Sequence, residues 1–217
     1  MYYIIGDIHG CLDNLVNLFN IIRKEVNKDD ILIFLGDYID RGEYSYGVIE
    51  YLLSISKIYK SIFLTGNHES MLLKYINGED SSGVYFLNGG RETVKSYKKN
   101  CGSFKLPKKH LEFYKKLRYF FEVEDFIAVH AGFDPEIKDI NKQLERDMIW
   151  IRDKFFKSNK RWNKTIIFGH TPTNYITGVR RNVYFDVEKN IIGIDTGAVY
   201  GGSLTCLRWP DKAVFQY

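Results

Sequence analysis

Short apolar runs recur along this chain, and five of them stop abruptly at a short burst of polar residues and glycine. Tyr2-Tyr3-Ile4-Ile5 leads into Gly6-Asp7-Ile8-His9-Gly10, and Ile31-Leu32-Ile33-Phe34-Leu35 into Gly36-Asp37-Tyr38-Ile39-Asp40-Arg41-Gly42. Ser61-Ile62-Phe63-Leu64-Thr65 leads into Gly66-Asn67-His68-Glu69, Phe126-Ile127-Ala128-Val129 into His130-Ala131-Gly132, and Thr165-Ile166-Ile167-Phe168 into Gly169-His170-Thr171. An apolar run of this length bounded by turn residues reads as a buried strand. After the first three runs the spacing changes to that of helices. Leu12, Leu15, Val16, Phe19 and Ile22 share one face, as do Val48, Ile49, Leu52, Leu53 and Ile55; a third helix starts near His68 with Met71, Leu72 and Tyr75. Strand, polar junction, helix, three times over, predicts an α/β layout that begins with parallel strands.

Residues from about 78 to 116 break the rhythm. Gly83, Gly89, Gly90, Gly102 and Pro107 punctuate a helical or irregular insert expected to pack beside the rim where the junctions gather. From Tyr119 the pattern turns β-rich. Residues 120–123 and 126–129 flank Glu124-Asp125 as a hairpin, and a helix is predicted over about 142–156. Runs at 166–168, 183–187, 191–194, 204–207 and 213–215 suggest antiparallel strands. The count suits an α/β fold of two packed mixed sheets flanked by helices, in one domain over residues 1–217.

Composition narrows the class without deciding it. At 217 residues with 45% hydrophobic and 27% charged content, the chain resembles an ordinary globular domain. No apolar run approaches the roughly 18 residues of a membrane span, and a strand starting at Tyr2 leaves no room for a signal peptide. Cys11, Cys101 and Cys206 are scattered without paired spacing and read as reduced thiols, which points to a cytoplasmic protein. Cys11 reads as a small apolar filler. The net charge is +4. The excess collects between Arg91 and Arg118, where ten Lys and Arg face only Glu92 and Glu112. Such a run is read first as a solvated face, and second as a basic wall that attracts an anionic substrate. Nucleic acid is not expected as a partner, because no binding motif accompanies the charge.

The junctions carry the candidate chemistry. In open α/β sheets, sites form in the crevice outside the carboxyl ends of the strands. Asp7 and His9, two apart in extended chain, point to the same side. Asp37, Asn67, His130 and His170 add a carboxylate, an amide oxygen and two imidazoles; of the five histidines only His110 lies outside the junctions, and it reads as a surface residue. A lone His at a strand end is more often structural, but five strand ends rarely acquire ligand types independently. Six mixed oxygen and nitrogen donors exceed one tetrahedral zinc. They suit two divalent ions sharing a carboxylate, about 3.5–4 Å apart. Such donors accept Mn, taken first, as well as Fe, Zn, Mg or Ni. The glycines are turn formers and not a P-loop, since no Gly-Lys-Ser/Thr follows.

GDIHG, GDYIDRG, GNHE, HAG and GHT, in that order, resemble the metal-dependent phosphoesterases of the calcineurin-like superfamily. The Asp-Arg-Gly ending of the second motif and Glu69 after His68 narrow the resemblance to the phosphoprotein phosphatase branch. That branch includes lambda-phosphatase-like bacterial Ser/Thr protein phosphatases and symmetrical diadenosine tetraphosphatases. The resemblance implies Asp7, His9 and Asp37 at a first metal, with Asp37 bridging, and Asn67, His130 and His170 at a second. It makes His68 the general acid, oriented by Asp40, with Arg41 on phosphate oxygens. Trp150-Ile151-Arg152 resembles the element that carries a second phosphate arginine, and Tyr200 falls on a loop expected at the pocket edge. Asn88-Gly89-Gly90-Arg91 with Thr93 and Ser96-Tyr97 matches a stretch of bacterial members, without assigned chemistry. The implied activity is phosphoester hydrolysis by direct in-line attack of a metal-bridging hydroxide. A Ser/Thr protein phosphatase comes first and a bis(5'-nucleosyl)-tetraphosphatase is the alternative; a scaffold that merely recognises phosphorylated partners comes third. The expected partner is a phosphorylated protein or a small phosphoester.

Overall fold

A computed structural model describes residues 1–80 and 83–217; positions 81 and 82 of the insert lie outside the described residues. β1 (Tyr2–Ile5), α1 (Leu12–Ile22), β2 (Ile31–Phe34), α2 (Ser45–Ile55), β3 (Lys60–Phe63) and α3 (Asn67–Ile76) form the alternating first part. β1 pairs with β2 and β2 with β3, both parallel. The insert is helical, with α4 (Val84–Leu87), α5 (Gly90–Cys101) and α6 (Lys108–Lys115). The predicted hairpin is present as β4 (Phe120–Glu122) and β5 (Phe126–Val129), paired antiparallel. The remaining elements are α7 (Glu145–Trp150), α8 (Asp153–Phe156), β6 (Thr165–Phe168), α9 (Thr173–Thr177), β7 (Tyr184–Asp186), β8 (Ile191–Gly193), β9 (Thr205–Trp209) and β10 (Val214–Gln216).

The strands form two five-stranded mixed sheets, ordered β10-β9-β1-β2-β3 and β4-β5-β6-β8-β7. Period-two alternation explains why they stack. Ile4, Ile33 and Leu207 face inward to meet Phe126, Ala128, Ile167 and Ile192 from the other sheet. Tyr3, Ile5, Leu32 and Phe34 face outward beneath Leu15, Leu18, Phe19, Val48, Ile49 and Leu52 of α1 and α2. Ile127, Val129, Ile166 and Phe168 take the outer face of the second sheet under Met148, Phe155, Phe156 and Trp162. Strands covered on both faces read as continuous apolar runs, as observed.

Three expectations are corrected. β6 pairs parallel with both β5 and β8, not antiparallel; the long segments between these strands permit crossovers that a hairpin would not need. The helix expected over 142–156 is broken into α7 and α8, because Arg152 leaves helical geometry at φ −131°, ψ −106°. His110 is fully buried rather than at the surface. Its Nε2 lies 2.9 Å from a Glu50 carboxylate oxygen, and its Nδ1 2.8 Å from the Tyr97 hydroxyl. Within the basic stretch Lys95 pairs with Glu92 and Lys109 with Glu50, as a solvated face would. Among the described residues no helix is long and apolar enough to cross a membrane.

Candidate functional site

The junctions after β1, β2, β3, β5 and β6 converge. Their backbones are contorted: His9, Asp37, Asp40, Arg41 and His170 all take positive φ, five of the eight non-glycine residues that do so among those described. Each such conformation costs on the order of 1 kcal/mol and persists only where surroundings impose it. Close backbone approach imposes it here. A Cβ at Gly10 would sit 2.5 Å from the Gly42 carbonyl oxygen, and one at Gly66 2.1 Å from Asp37 Oδ1. Glu69 ties the turns together by accepting backbone N–H bonds from Asp37 (2.8 Å), Tyr38 (2.8 Å) and Gly66 (3.0 Å). Burial and the charge of Asp37 push its carboxyl up to about 8, while the N–H donors pull the other way.

Two buried groups, His9-Asp37-His68 and Asp37-His130-His170, each bring their donor atoms within 4.8 Å of one another. Asp37 belongs to both. Its Oδ2 faces His9 Nε2 at 3.4 Å and His68 Nε2 at 3.9 Å, whereas its Oδ1 faces His130 Nε2 at 3.5 Å. One oxygen is thus offered to each group, as a bridging carboxylate requires. Asn67 Oδ1 stands 3.1 Å from His130 Nε2. Asp7 is buried beside them, its two oxygens accepting from the His170 N–H at 3.2 and 3.0 Å. All six residues named from the sequence are therefore present, with His68 joining the first group and Asp7 set to its side.

The donor chemistry fits divalent cations. His9 Nδ1 is 3.0 Å from the Ile39 carbonyl and His130 Nδ1 3.0 Å from the Leu35 carbonyl. Each ring donates there, so its Nε2 can turn a lone pair inward. His68 Nε2 and His170 Nε2 are buried with no hydrogen-bond partner among the described residues. Burial, with Asp195 and Asp37 nearby, raises the Asp7 carboxyl well above the carboxylate range; burial also drives His9 and His170 well below the usual imidazole value. Against its burial, Asp37 is held low by His130 and His68, and Asp37 in turn raises His130. Buried oxygens and lone pairs thus face one another with too little positive charge between them. Divalent cations held there would supply that charge.

Around this centre stand the phosphate-handling candidates. His68 Nδ1 lies 2.7 Å from Asp40 Oδ2. Asp40 Oδ1 accepts from Thr93 Oγ1 at 2.6 Å and from the Tyr85 hydroxyl at 3.0 Å. Arg41 reaches inward, with Nη1 2.6 Å from His9 Nε2 and Cζ 5.5 Å from the Tyr200 ring centre. Arg152, swung out by the break between α7 and α8, donates to the His170 carbonyl (3.3 Å) and Thr171 Oγ1 (3.2 Å). Neither arginine has a carboxylate within ion-pair distance among the described residues, so both guanidinium groups are available to an anion. Tyr200 is exposed beside them.

Sequence reasoning assigned no chemistry to Tyr85, Thr93 or Asp195. Asp195 is buried, its carboxyl pushed up to about 6 by burial and by Asp37. The Asn88-to-Tyr97 stretch, left without chemistry, is the buttress of the Asp40-Arg41 turn. The Gly89 carbonyl accepts the Arg41 N–H at 3.2 Å, and a Cβ on Gly89 would lie 2.8 Å from Arg41 Cγ. The Thr93 hydroxyl closes the same contact. That motif was the available signal.

Relatives carry similar chains. An asymmetrical bis(5'-nucleosyl)-tetraphosphatase PrpE of Halalkalibacterium halodurans is 28% identical, the match covering 96% of this chain and 89% of the relative. One from Bacillus anthracis is 29% identical over 97% of this chain and 91% of its own. Among solved structures, a candidate diadenosine tetraphosphatase superposes with a TM-score of 0.72 at 22% identity, covering all of this chain and 92% of its own. A Saccharomyces cerevisiae protein serine/threonine phosphatase superposes at 0.58 and 17% identity, covering all of this chain and 79% of its own. The family profile described as calcineurin-like phosphoesterase matches residues 2–202, and the chain belongs to that family.

Proposed function

We propose that this chain is a binuclear-metal hydrolase of dinucleoside polyphosphates, with bis(5'-nucleosyl)-tetraphosphate as the type substrate. The observation that carries the substrate is the run of PrpE relatives, 27–29% identical over nearly the whole chain. The reaction class rests on the paired groups that share Asp37. The phosphoprotein substrate expected first from the motifs has weaker support, since its structural likeness at 17% identity speaks to fold alone.

The metals would be held by His9, Asp37, Asn67, His130 and His170 with Asp7 alongside; when bound, they supply Lewis acidity to the phosphoryl group and to the attacking water. The chain's own groups do the rest. Arg41 and Arg152 match the phosphate oxygens with guanidinium forks and orient the group for in-line attack. As water's oxygen bonds to phosphorus and water gives up a proton to solvent, the bond to the leaving phosphate oxygen breaks and its electron pair stays on that oxygen. His68 donates the proton from Nε2 as that charge develops, and Asp40 stabilises the imidazolium through Nδ1. No Ser or Cys nucleophile is needed, so no phosphoenzyme forms.

The test is turnover of diadenosine tetraphosphate against a phosphoserine peptide with Mn, Mg, Fe, Zn or Ni supplied in turn, products resolved by chromatography. Preference for the dinucleotide is expected, with ATP and AMP as the unequal products that the relatives' asymmetrical cleavage suggests. Two ADP molecules would indicate symmetrical cleavage, and preference for the peptide would return the reading to a protein phosphatase.

A further inference from the structure

On the far side of Tyr200 opens a groove of about 370 Å3, walled by Arg152, Asn174, Tyr175, Arg180, Thr196 and Tyr200. Two of its walls, Arg152 and Tyr200, also border the candidate metal centre. Arg152 reaches the His170 carbonyl from one wall, and the Tyr200 ring carries Arg41 against it at 5.5 Å. No acidic residue lines it among those described. Arg180 makes no hydrogen bond or ion pair among the described residues, and Arg152 touches only neutral oxygens. Arg41, Arg152 and Arg180 thus lead outward from the metals as guanidinium groups without counter-charges. Repulsion among cations is tolerated when an extended anion is the partner. Tyr175 and Tyr200 add aromatic surface, 63% and 57% exposed, where a base can stack.

We propose that this groove holds the part of a nucleoside polyphosphate that lies beyond the scissile phosphoryl group. Arg180 takes the phosphate next to the one held by Arg41 and Arg152, and Tyr175 stacks on the terminal base. The assignment rests on the dinucleoside polyphosphate reading. A phosphoserine peptide brings a single phosphate, which Arg41 and Arg152 already serve, and leaves Arg180 without an anion. A polyphosphate chain uses all three cations.

The experiment measures equilibrium binding of a methylene-bridged, non-hydrolysable diadenosine tetraphosphate analogue and of inorganic phosphate to metal-loaded protein. Arg180→Ala is expected to weaken the analogue about tenfold relative to phosphate, the loss of one charge-assisted contact at a solvent-facing site. Arg180→Glu should weaken it further. Tyr175→Ala should weaken the analogue about fivefold or more relative to phosphate, with Tyr175→Phe restoring it, because stacking needs the ring and not the hydroxyl. Analogue and phosphate affinities that move together, or an analogue affinity that does not move, overturn the groove assignment. If the wild type cleaves nitrophenyl phosphate but neither binds the analogue nor cleaves diadenosine tetraphosphate, the substrate reading itself fails and the groove assignment with it. If it cleaves the dinucleotide while the variants keep full affinity, only the groove assignment fails. A variant that instead loses phosphopeptide turnover marks a peptide as the occupant and likewise overturns it.

Discussion

Asp40→Asn isolates the proton-transfer role because the surrounding hydrogen bonds dictate how the new amide must sit. Thr93 Oγ1 accepts the Asp40 N–H at 2.9 Å and donates to Asp40 Oδ1 at 2.6 Å, where the Tyr85 hydroxyl also donates. Those two donors pin the amide oxygen at the Oδ1 position, so the NH2 turns toward His68 Nδ1, now 2.7 Å from a carboxylate oxygen. A protonated imidazole then meets a donor where it had an anion. The lost attraction is at most about 4 kcal/mol, taking charge centres roughly 4 Å apart at an effective dielectric near 20. General-acid assistance as a whole is worth ~10²–10⁴-fold, which sets a similar ceiling. Turnover of a phosphoserine peptide should therefore fall by about 10²–10³-fold, since a serine alkoxide leaves poorly without a proton. Nitrophenyl phosphate and diadenosine tetraphosphate should lose no more than about tenfold, because nitrophenolate and a nucleotide phosphate are weak bases that depart with little help. Steady-state kinetics on the three substrates, with metal content measured alongside, is the assay. Equal losses across all three, or a loss of metal that accounts for the drop, would refute the acid role of His68.

Asp37→Asn removes the carboxylate shared by both groups, so metal per chain after gel filtration should fall and activity should not return at moderate metal excess; full metal retention with normal turnover would sink the two-metal site. Arg152→Ala should lower kcat/KM on the order of 10²-fold and weaken inhibition by inorganic phosphate without changing metal content, and Arg152→Lys should restore only part. Unchanged kinetics there would show that Arg152 is not a phosphate ligand. Gly89→Ala, at φ +100° with its Cβ 2.8 Å from Arg41 Cγ, should raise KM by displacing Arg41, and an unaltered KM would argue against that buttress. Burial lowers the protonation of His110 below the usual 6.5, so the unfolded chain binds more protons and stability falls as pH drops through that value; Glu50, held low by Lys109 and His110 despite desolvation, extends the loss below 4.5. Denaturant midpoints should therefore decline between about pH 7.5 and 5.5, and decline less in His110→Gln; identical slopes would refute it.

The candidate metal centre was legible because its geometry is written locally. Each candidate ligand lies within a few residues of a strand end, in junctions whose glycines tolerate close backbone approach, as at Gly10 and Gly66. The fold was legible for the same reason, since alternation within β1 and β2 already separates the residues that face the second sheet from those that face the helices. What the pattern could not carry is long-range partnership. The direction of β6 depends on pairing with β5, and that of β8 on pairing with β6, which apolar runs satisfy either way. His110 is isolated in sequence from Glu50, and Thr93 from Asp40, yet each pair is in hydrogen-bond contact. Substrate choice is the extreme case. Catalysis requires donors at fixed separations, so related enzymes share their spacing whatever they hydrolyse. Recognition of the rest of the substrate requires only a cation or an aromatic face somewhere along a groove. Arg180 and Tyr175 have no motif around them, and their significance emerges only when the fold sets them beside Arg152 and Tyr200. The motifs therefore put a phosphoprotein first and a dinucleotide second with no residue of the cluster to separate them. The difference between those substrates lies in surface that local sequence spacing does not constrain.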